Sequence, residues 1–200
     1  MQLRAPAILL ASRAHGETAS IARVLTQDHG LVAGYVARGR GRTLRPVLIP
    51  GNRVSAELRA RSQNQLPFLK VELIESRGPW LSEPLTAAAI QWVSALTATA
   101  LPERNPYPSL YVALGALLDA LCHAPSAREW VPGLVAYESL LLRELGYGGD
   151  RPDTSGDLAQ MLKSLHELRS PLAHYLLADK RSDVMGARTM LEQRLARMMT

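Results

Sequence analysis

The sequence predicts an α+β protein: five short strands in a small closed or nearly closed barrel, then a run of helices. Two patterns carry that reading. Over 53–61, Val54, Ala56, Leu58 and Ala60 alternate with Arg53, Ser55, Glu57, Arg59 and Arg61, the period of two that gives a strand one buried and one wet face. After Gly78 and Pro79 the period lengthens to that of a helix. Charge divides the same way. Residues 1–80 hold twelve Lys or Arg against five Asp or Glu, a net of +7, whereas residues 81–200 hold eleven against thirteen, a net of −2.

The predicted strands cover 7–13, 20–26, 31–38, 53–61 and 68–74. The apolar stretch 5–11 contains Pro6 and has only Arg4 as a cation before it, which reads as a strand and not as a signal peptide. In the fifth, Leu69, Val71 and Leu73 alternate with Lys70 and Glu72. Turn-forming clusters separate them: His15-Gly16-Glu17, Asp28-His29-Gly30, an Arg-Gly segment, Pro50-Gly51-Asn52 and Gln63-Asn64-Gln65. So many strands at such short spacing suit a barrel. The predicted helices cover 86–101, stopped by Pro102; 107–123, with Leu110, Leu114, Leu117, Leu118 and Leu121 on one stripe; 128–145, ended by Gly146; 155–168; and 183–199. In the last, Val184, Ala187, Leu191, Leu195 and Met198 mark the apolar face. Met185, Met190, Met198 and Met199 are read as core filling, with an adaptable protein-binding face as the alternative.

The segment Arg38-Gly39-Arg40-Gly41-Arg42-Thr43-Leu44-Arg45 is the main functional signal. It sets four guanidinium groups, planar forks matched to phosphate oxygens, in a loop expected to be flexible. Its glycines are expected to adopt conformations other residues avoid and to let the backbone approach a ligand. With the basic wet face of the fourth strand, this points to a polyanion-binding half.

Other classes are disfavoured. No apolar run reaches the roughly 18–20 residues needed to cross a bilayer. Cys122 is the sole cysteine, so neither an intrachain disulfide nor a cysteine-cluster zinc site can form, and a reducing cytosol suits the chain. The five histidines, at 15, 29, 123, 166 and 174, lack metal-ligand spacing, and there is no phosphate loop or nucleophile elbow. Neither an enzyme nor a cofactor is expected. Few aromatics are available for base stacking.

Several short motifs, in order, resemble the bacterial recombination mediator family RecO. They are 7–17, ending in the Gly16-Glu17 turn; 25–32, followed by Ala37-Arg38-Gly39; 44–52, with Ile49 where Gln is usual; Leu101-Pro102-Glu103; and Tyr137-Glu138 leading to Leu145-Gly146-Tyr147-Gly148. The resemblance covers 5–149 well. It implies an N-terminal OB-fold barrel, assigned to 1–78, and an all-α helical domain, assigned to 79–200. It further implies binding of single- and double-stranded DNA without sequence readout, strand annealing, RecA loading with RecR, and contact with the C-terminal tail of single-stranded DNA-binding protein. A cytoplasmic, nucleoid-associated location follows from that role. The chain departs from the family by passing from Asp150 almost directly to its last helices, a short form without the zinc-binding insertion. Val135 and Ala136 stand where basic residues are usual, which weakens the expected grip on the tail.

The DNA-binding residues expected are therefore Arg38, Arg40, Arg42 and Arg45 on the loop with Arg53, Arg59 and Arg61 on the fourth strand. Arg13, Arg23 and Lys70 come second. Tyr137, Leu141, Arg143 and Arg128 are the candidates for the partner's tail. Two other classes stay open: a non-enzymatic scaffold whose basic loop binds an acidic protein tail, and a metal-dependent enzyme acting on DNA, for which the basic half offers few carboxylates.

Overall fold

A computed structural model describes residues 2–60, 65–148, 152–178 and 184–198. The chain divides into two compact units: Met1–Ser82 with Leu101–Tyr111, and Glu83–Ala100 with Val112–Thr200.

The first unit holds β1 (Gln2–His15), β2 (Ala19–Thr26), β3 (Gly30–Val36), β4 (Arg53–Arg59) and β5 (Phe68–Glu75), closed in the order β1-β2-β3-β5-β4. β1 is long enough to serve two neighbours. Residues 2–8 pair with β4, residues 7–15 pair with β2, and a register shift between Leu9 and Ala11 marks the bend. Every pairing is antiparallel except β3 with β5, which closes the barrel. There Tyr35 N–H donates to the Pro67 carbonyl at 2.8 Å. At Gly34 a Cβ would lie 2.5 Å from the Leu69 Cβ, so the closure depends on a residue without a side chain. Inside lie Ala7, Leu9, Ala22, Val24, Val32, Val36, Val54, Ala56, Leu58, Leu69 and Val71. This five-stranded closed barrel is an OB fold.

The strand phases agree with the sequence reading, with two corrections. Leu73 is 44% exposed: the β4–β5 register slips between Arg53 and Val54, leaving Ile74 unpaired, and both residues at this end stay wet. The cations on the wet face of β4 are not free, because neighbouring carboxylates pair with them. Arg59 meets Glu57 at 2.6 Å, Arg53 meets Glu75 at 3.8 Å, and neighbouring Lys70 and Arg4 both meet Glu72. Buried Arg77 also meets Glu75 at 3.0 Å, so five cations share three carboxylates and the exposed arginines here are engaged.

Residues 101–111 return to the barrel after the first helix. Arg104 N–H donates to the Leu31 carbonyl at 2.8 Å, Glu103 forms a bridge with Leu31, and its carboxylate meets Arg23 at 3.2 Å. This engages Arg23, one of the secondary candidates.

The second unit comprises α1 (Pro84–Ala100), α2 (Pro108–His123, from Val112 onward), α3 (Ala127–Glu144), α4 (Leu158–Pro171) and α5 (Met185–Ala196). The Leu110, Leu114, Leu117, Leu118 and Leu121 stripe is buried as its spacing predicts. α4 starts later than expected because Asp157 caps it, accepting from Gln160 N–H at 2.9 Å. Past Pro171, which cannot donate to the preceding turn, the helix widens into a π segment, Leu172–Leu177.

On α5 the predicted apolar face is only partly right. Val184, Leu191 and Leu195 are buried, but the interior position between them belongs to Arg188, and Met190 and Met198 are about half exposed, so they do not fill the core. Met199 lies outside the described residues. Arg188 donates to the buried carboxylate of Glu138 (Nη2, 2.7 Å; Nε, 3.3 Å) and to the Leu165 carbonyl at 2.6 Å, and it pairs with Glu192. Trp92 Nε1 donates to the same Glu138 at 2.7 Å. One polar cluster thus ties α1, α3, α4 and α5.

Candidate nucleic-acid interface

Between β3 and β4 the chain runs through the Arg-Gly segment, which is not a free loop. It is a series of hydrogen-bonded turns: Gly41 N–H donates to Arg38 O at 2.8 Å, Arg45 N–H to Gly41 O at 3.0 Å, and Leu48 N–H to Leu44 O at 2.9 Å. Leu44, Val47 and Leu48 pack against the barrel core and anchor those turns. At the far end the buried Asn52 acts as a clip. Its Nδ2 donates to the carbonyls of Pro46 and Val47 at 2.9 and 3.0 Å, and its Oδ1 accepts from Arg77 N–H at 2.7 Å.

The glycines work differently from the expectation. Arg38 itself takes the left-handed conformation, at φ 55°, which costs a non-glycine residue some strain. Gly39 is needed for close packing: a Cβ there would stand 2.7 Å from the Ser20 Cβ.

The four loop arginines divide into two kinds. Arg40 is engaged by the protein: its Nη1 donates to the carbonyls of Gly16 and Glu17 at 3.2 and 3.0 Å, and its backbone N–H to Thr18 O at 3.0 Å. It holds the segment against the β1–β2 turn. The side chains of Arg38, Arg42 and Arg45 are exposed, with no hydrogen-bond or ion-pair partner among the described residues. Arg13, near the end of β1, is likewise exposed and unpaired among them. Arg53 and Arg59 sit in this ion-paired patch; surface pairs of that kind contribute about 0–1 kcal/mol, so they hold their arginines weakly. Arg61 lies outside the described residues.

A feature the sequence reading missed adjoins the loop. Cross-strand pairing sets Arg13, Ile21, Tyr35, Phe68 and Arg59 side by side in one row across the outer face of the barrel. Tyr35 meets Phe68 edge-on at 5.4 Å between ring centres and meets His15 at 5.9 Å, and Phe68 is 60% exposed. A count of aromatics could not find this, because the three residues come from strands far apart in sequence.

The second unit carries its own groove, between α2 and α3, with a volume of about 680 Å³. Small residues make the room: Ala113, Ala116 and Ala120 on one helix face Gly133 and Ala136 on the other. Arg143 lines it, and so does an edge of Tyr137, although Tyr137 is buried and its hydroxyl is bonded to Thr97 at 2.5 Å. Burial pushes the Tyr137 phenol up, far from ionisation near neutral pH. Leu141 is fully buried and Arg128 does not line the groove, so of the four tail candidates only Arg143 and Tyr137 reach it. The chain's own Pro152–Ser155 forms part of the wall; hydrogen bonds from Ser155 hold the Asp153 carboxyl below its usual range, keeping it charged.

An OB-fold barrel carrying an anchored arginine segment, and a helical unit with its own apolar groove, define a protein of two compact units. Residues 1–77 match the family model described as Recombination protein O N terminal, and residues 81–176 match Recombination protein O C terminal. The chain belongs to the recombination protein O family. It is similar to proteins named DNA repair protein RecO: 41% identical to that of Phenylobacterium zucineum over 151 residues, 75% of this chain and 61% of the relative, and 46% identical to that of Rhodospirillum centenum over 145 residues, 72% and 56%. The RecO of a Ruegeria species is 42% identical over 151 residues. The chain thus spans about three fifths of the length of the curated relatives it matches. Among the described residues no helix is long and apolar enough to cross a membrane.

Proposed function

We propose that the chain is a non-enzymatic DNA repair and recombination mediator that binds single- and double-stranded DNA through phosphate contacts and speeds annealing of complementary strands. The observation that carries this is the set of exposed guanidiniums at Arg38, Arg42 and Arg45, unpaired among the described residues and held on an anchored segment of an OB barrel. Pre-positioned arginines release counterions when they meet phosphates, and they lower the repulsion between two strands while leaving base edges free to pair. No bond is made or broken. The relatives' names supply the repair context, and loading of RecA together with RecR is the role we assign within it.

The test is a strand-annealing assay on the full chain across a salt series. Annealing of two complementary oligonucleotides should accelerate several-fold at low salt and return to the spontaneous rate as salt rises. Absence of both binding and acceleration at low salt would reject the assignment.

The groove suggests where a second partner docks. We assign it to the C-terminal tail of single-stranded DNA-binding protein, whose terminal ring would enter the apolar slot while its carboxylates face Arg143. The charged Asp153 in the wall opposes an acidic ligand, so binding should be weak. Titration with the tail peptide should give an affinity that falls about 3- to 10-fold on Arg143→Ala. Binding abolished by loop substitutions, and not by Arg143→Ala, would place the tail on the barrel and favour the scaffold reading.

A further inference from the structure

The row Arg13–Ile21–Tyr35–Phe68–Arg59 has a chemistry that phosphate binding does not use. Its centre is apolar and aromatic, and its two ends are arginines. The rings meet edge-on, at interplanar angles of 80° and 89°, an arrangement that spends ring edges on each other and cannot cover both faces of Phe68. Phe68 is left 60% exposed beside Leu66, itself 45% exposed. Solvated aromatic surface of this size costs free energy unless something covers it.

The row is also continuous with the arginine segment. His15, which touches Tyr35, immediately precedes Gly16, whose carbonyl Arg40 grips; Tyr35 lies three residues before Arg38. A chain of phosphates lying along the arginines would therefore bring its bases to the rings.

Resting on the reading of this barrel as a DNA-binding surface, we infer that Phe68, with Tyr35 and His15 behind it, is a stacking platform for an unpaired nucleobase. It would make the site favour single strands over duplex. A duplex keeps its bases stacked on each other and offers the row only sugar and phosphate; a single strand can turn a base onto an open ring face. Arg59 lies next to Phe68 in the row and Arg13 lies at the row's far end, so each can meet a phosphate on its own side, and Arg59 can leave its surface pairing with Glu57 at little cost.

The experiment compares wild type, Phe68→Leu and Phe68→Trp in binding three labelled probes of equal length: a deoxythymidine oligonucleotide, the same backbone made abasic, and a duplex. Leu keeps apolar bulk suited to a strand end but has no π face, and melting curves check that each variant is folded. Stacking of about 1–3 kcal/mol per base corresponds to a loss of roughly 5- to 150-fold for Phe68→Leu on the single strand. Duplex and abasic binding should be unchanged, and Phe68→Trp should bind the single strand at least as well as wild type. Equal losses on all three probes, or no loss on any, would overturn the platform. Wild type that binds none of the probes at low salt would instead overturn the DNA-binding reading beneath it.

Discussion

Replacing Arg188 with Met is expected to destabilise the helical unit by about 3–5 kcal/mol at neutral pH, the usual effect of leaving one member of a buried ion pair alone. Glu138 has no exposed surface, and its compensation comes from the Arg188 guanidinium and the Trp92 indole. Burial holds the Glu138 carboxyl above its ordinary range, and the charge and hydrogen bonds of Arg188 offset only part of that push. Without Arg188 the upward push grows further, so the folded variant holds more firmly a proton that the unfolded chain releases at lower pH. Between the ordinary carboxylate range and the raised folded value, the native state binds more protons, and stability falls as pH rises. Denaturant melts at pH 5 and pH 7.5 should show the variant's deficit smaller at pH 5. Adding Glu138→Gln, which removes the charge but keeps an acceptor for Trp92, should recover much of the loss. A deficit under 1 kcal/mol, or one indifferent to pH, would show that water or another cation reaches Glu138.

The second large effect concerns DNA. Changing Arg38, Arg42 and Arg45 together to Ala should weaken binding to strands of any sequence while leaving the melting temperature nearly unchanged, because these side chains are exposed and make no hydrogen bond or ion pair among the described residues. If three phosphate contacts are lost, the log-log salt slope on single strands should become shallower by about 2. Arg40→Ala should behave differently. Its guanidinium is spent on the Gly16 and Glu17 carbonyls, so its removal should loosen the segment and lower the melting temperature more than any of the other three. An unchanged salt slope in the triple variant would move the DNA contact elsewhere.

Much of this architecture could be read from residue order. The alternation around Val54, Ala56 and Leu58 reports burial directly, since a strand's two faces differ only in what they touch, and the α2 leucines do the same for a helix. What escaped depends on pairings between distant residues. The partners of Arg53 and Arg59 are glutamates, one of them on another strand, so counting charges along β4 alone overstates how basic its wet face is. Arg188 looks like a surface residue of an amphipathic helix until Glu138, fifty positions away, is placed opposite it. The platform of His15, Tyr35 and Phe68 exists only once the barrel is closed. The arginine segment was visible, but its rigidity was not, because the clip at Asn52 and the tether at Arg40 are tertiary contacts.

The return of residues 101–111 to the barrel has a bearing on synthesis in the cell. The polypeptide leaves the first unit after Ser82, contributes α1 to the second, and comes back to lay Glu103 and Arg104 against Leu31 before departing for good. A ribosome that has released only the five strands has therefore not released everything that covers them. The Leu31 end of β3 stays uncovered until some thirty further residues emerge, and by then α1 precedes helices not yet translated. Maturation of the two units is interleaved in time, and a fragment ending at the apparent boundary would carry the strands without their final cover.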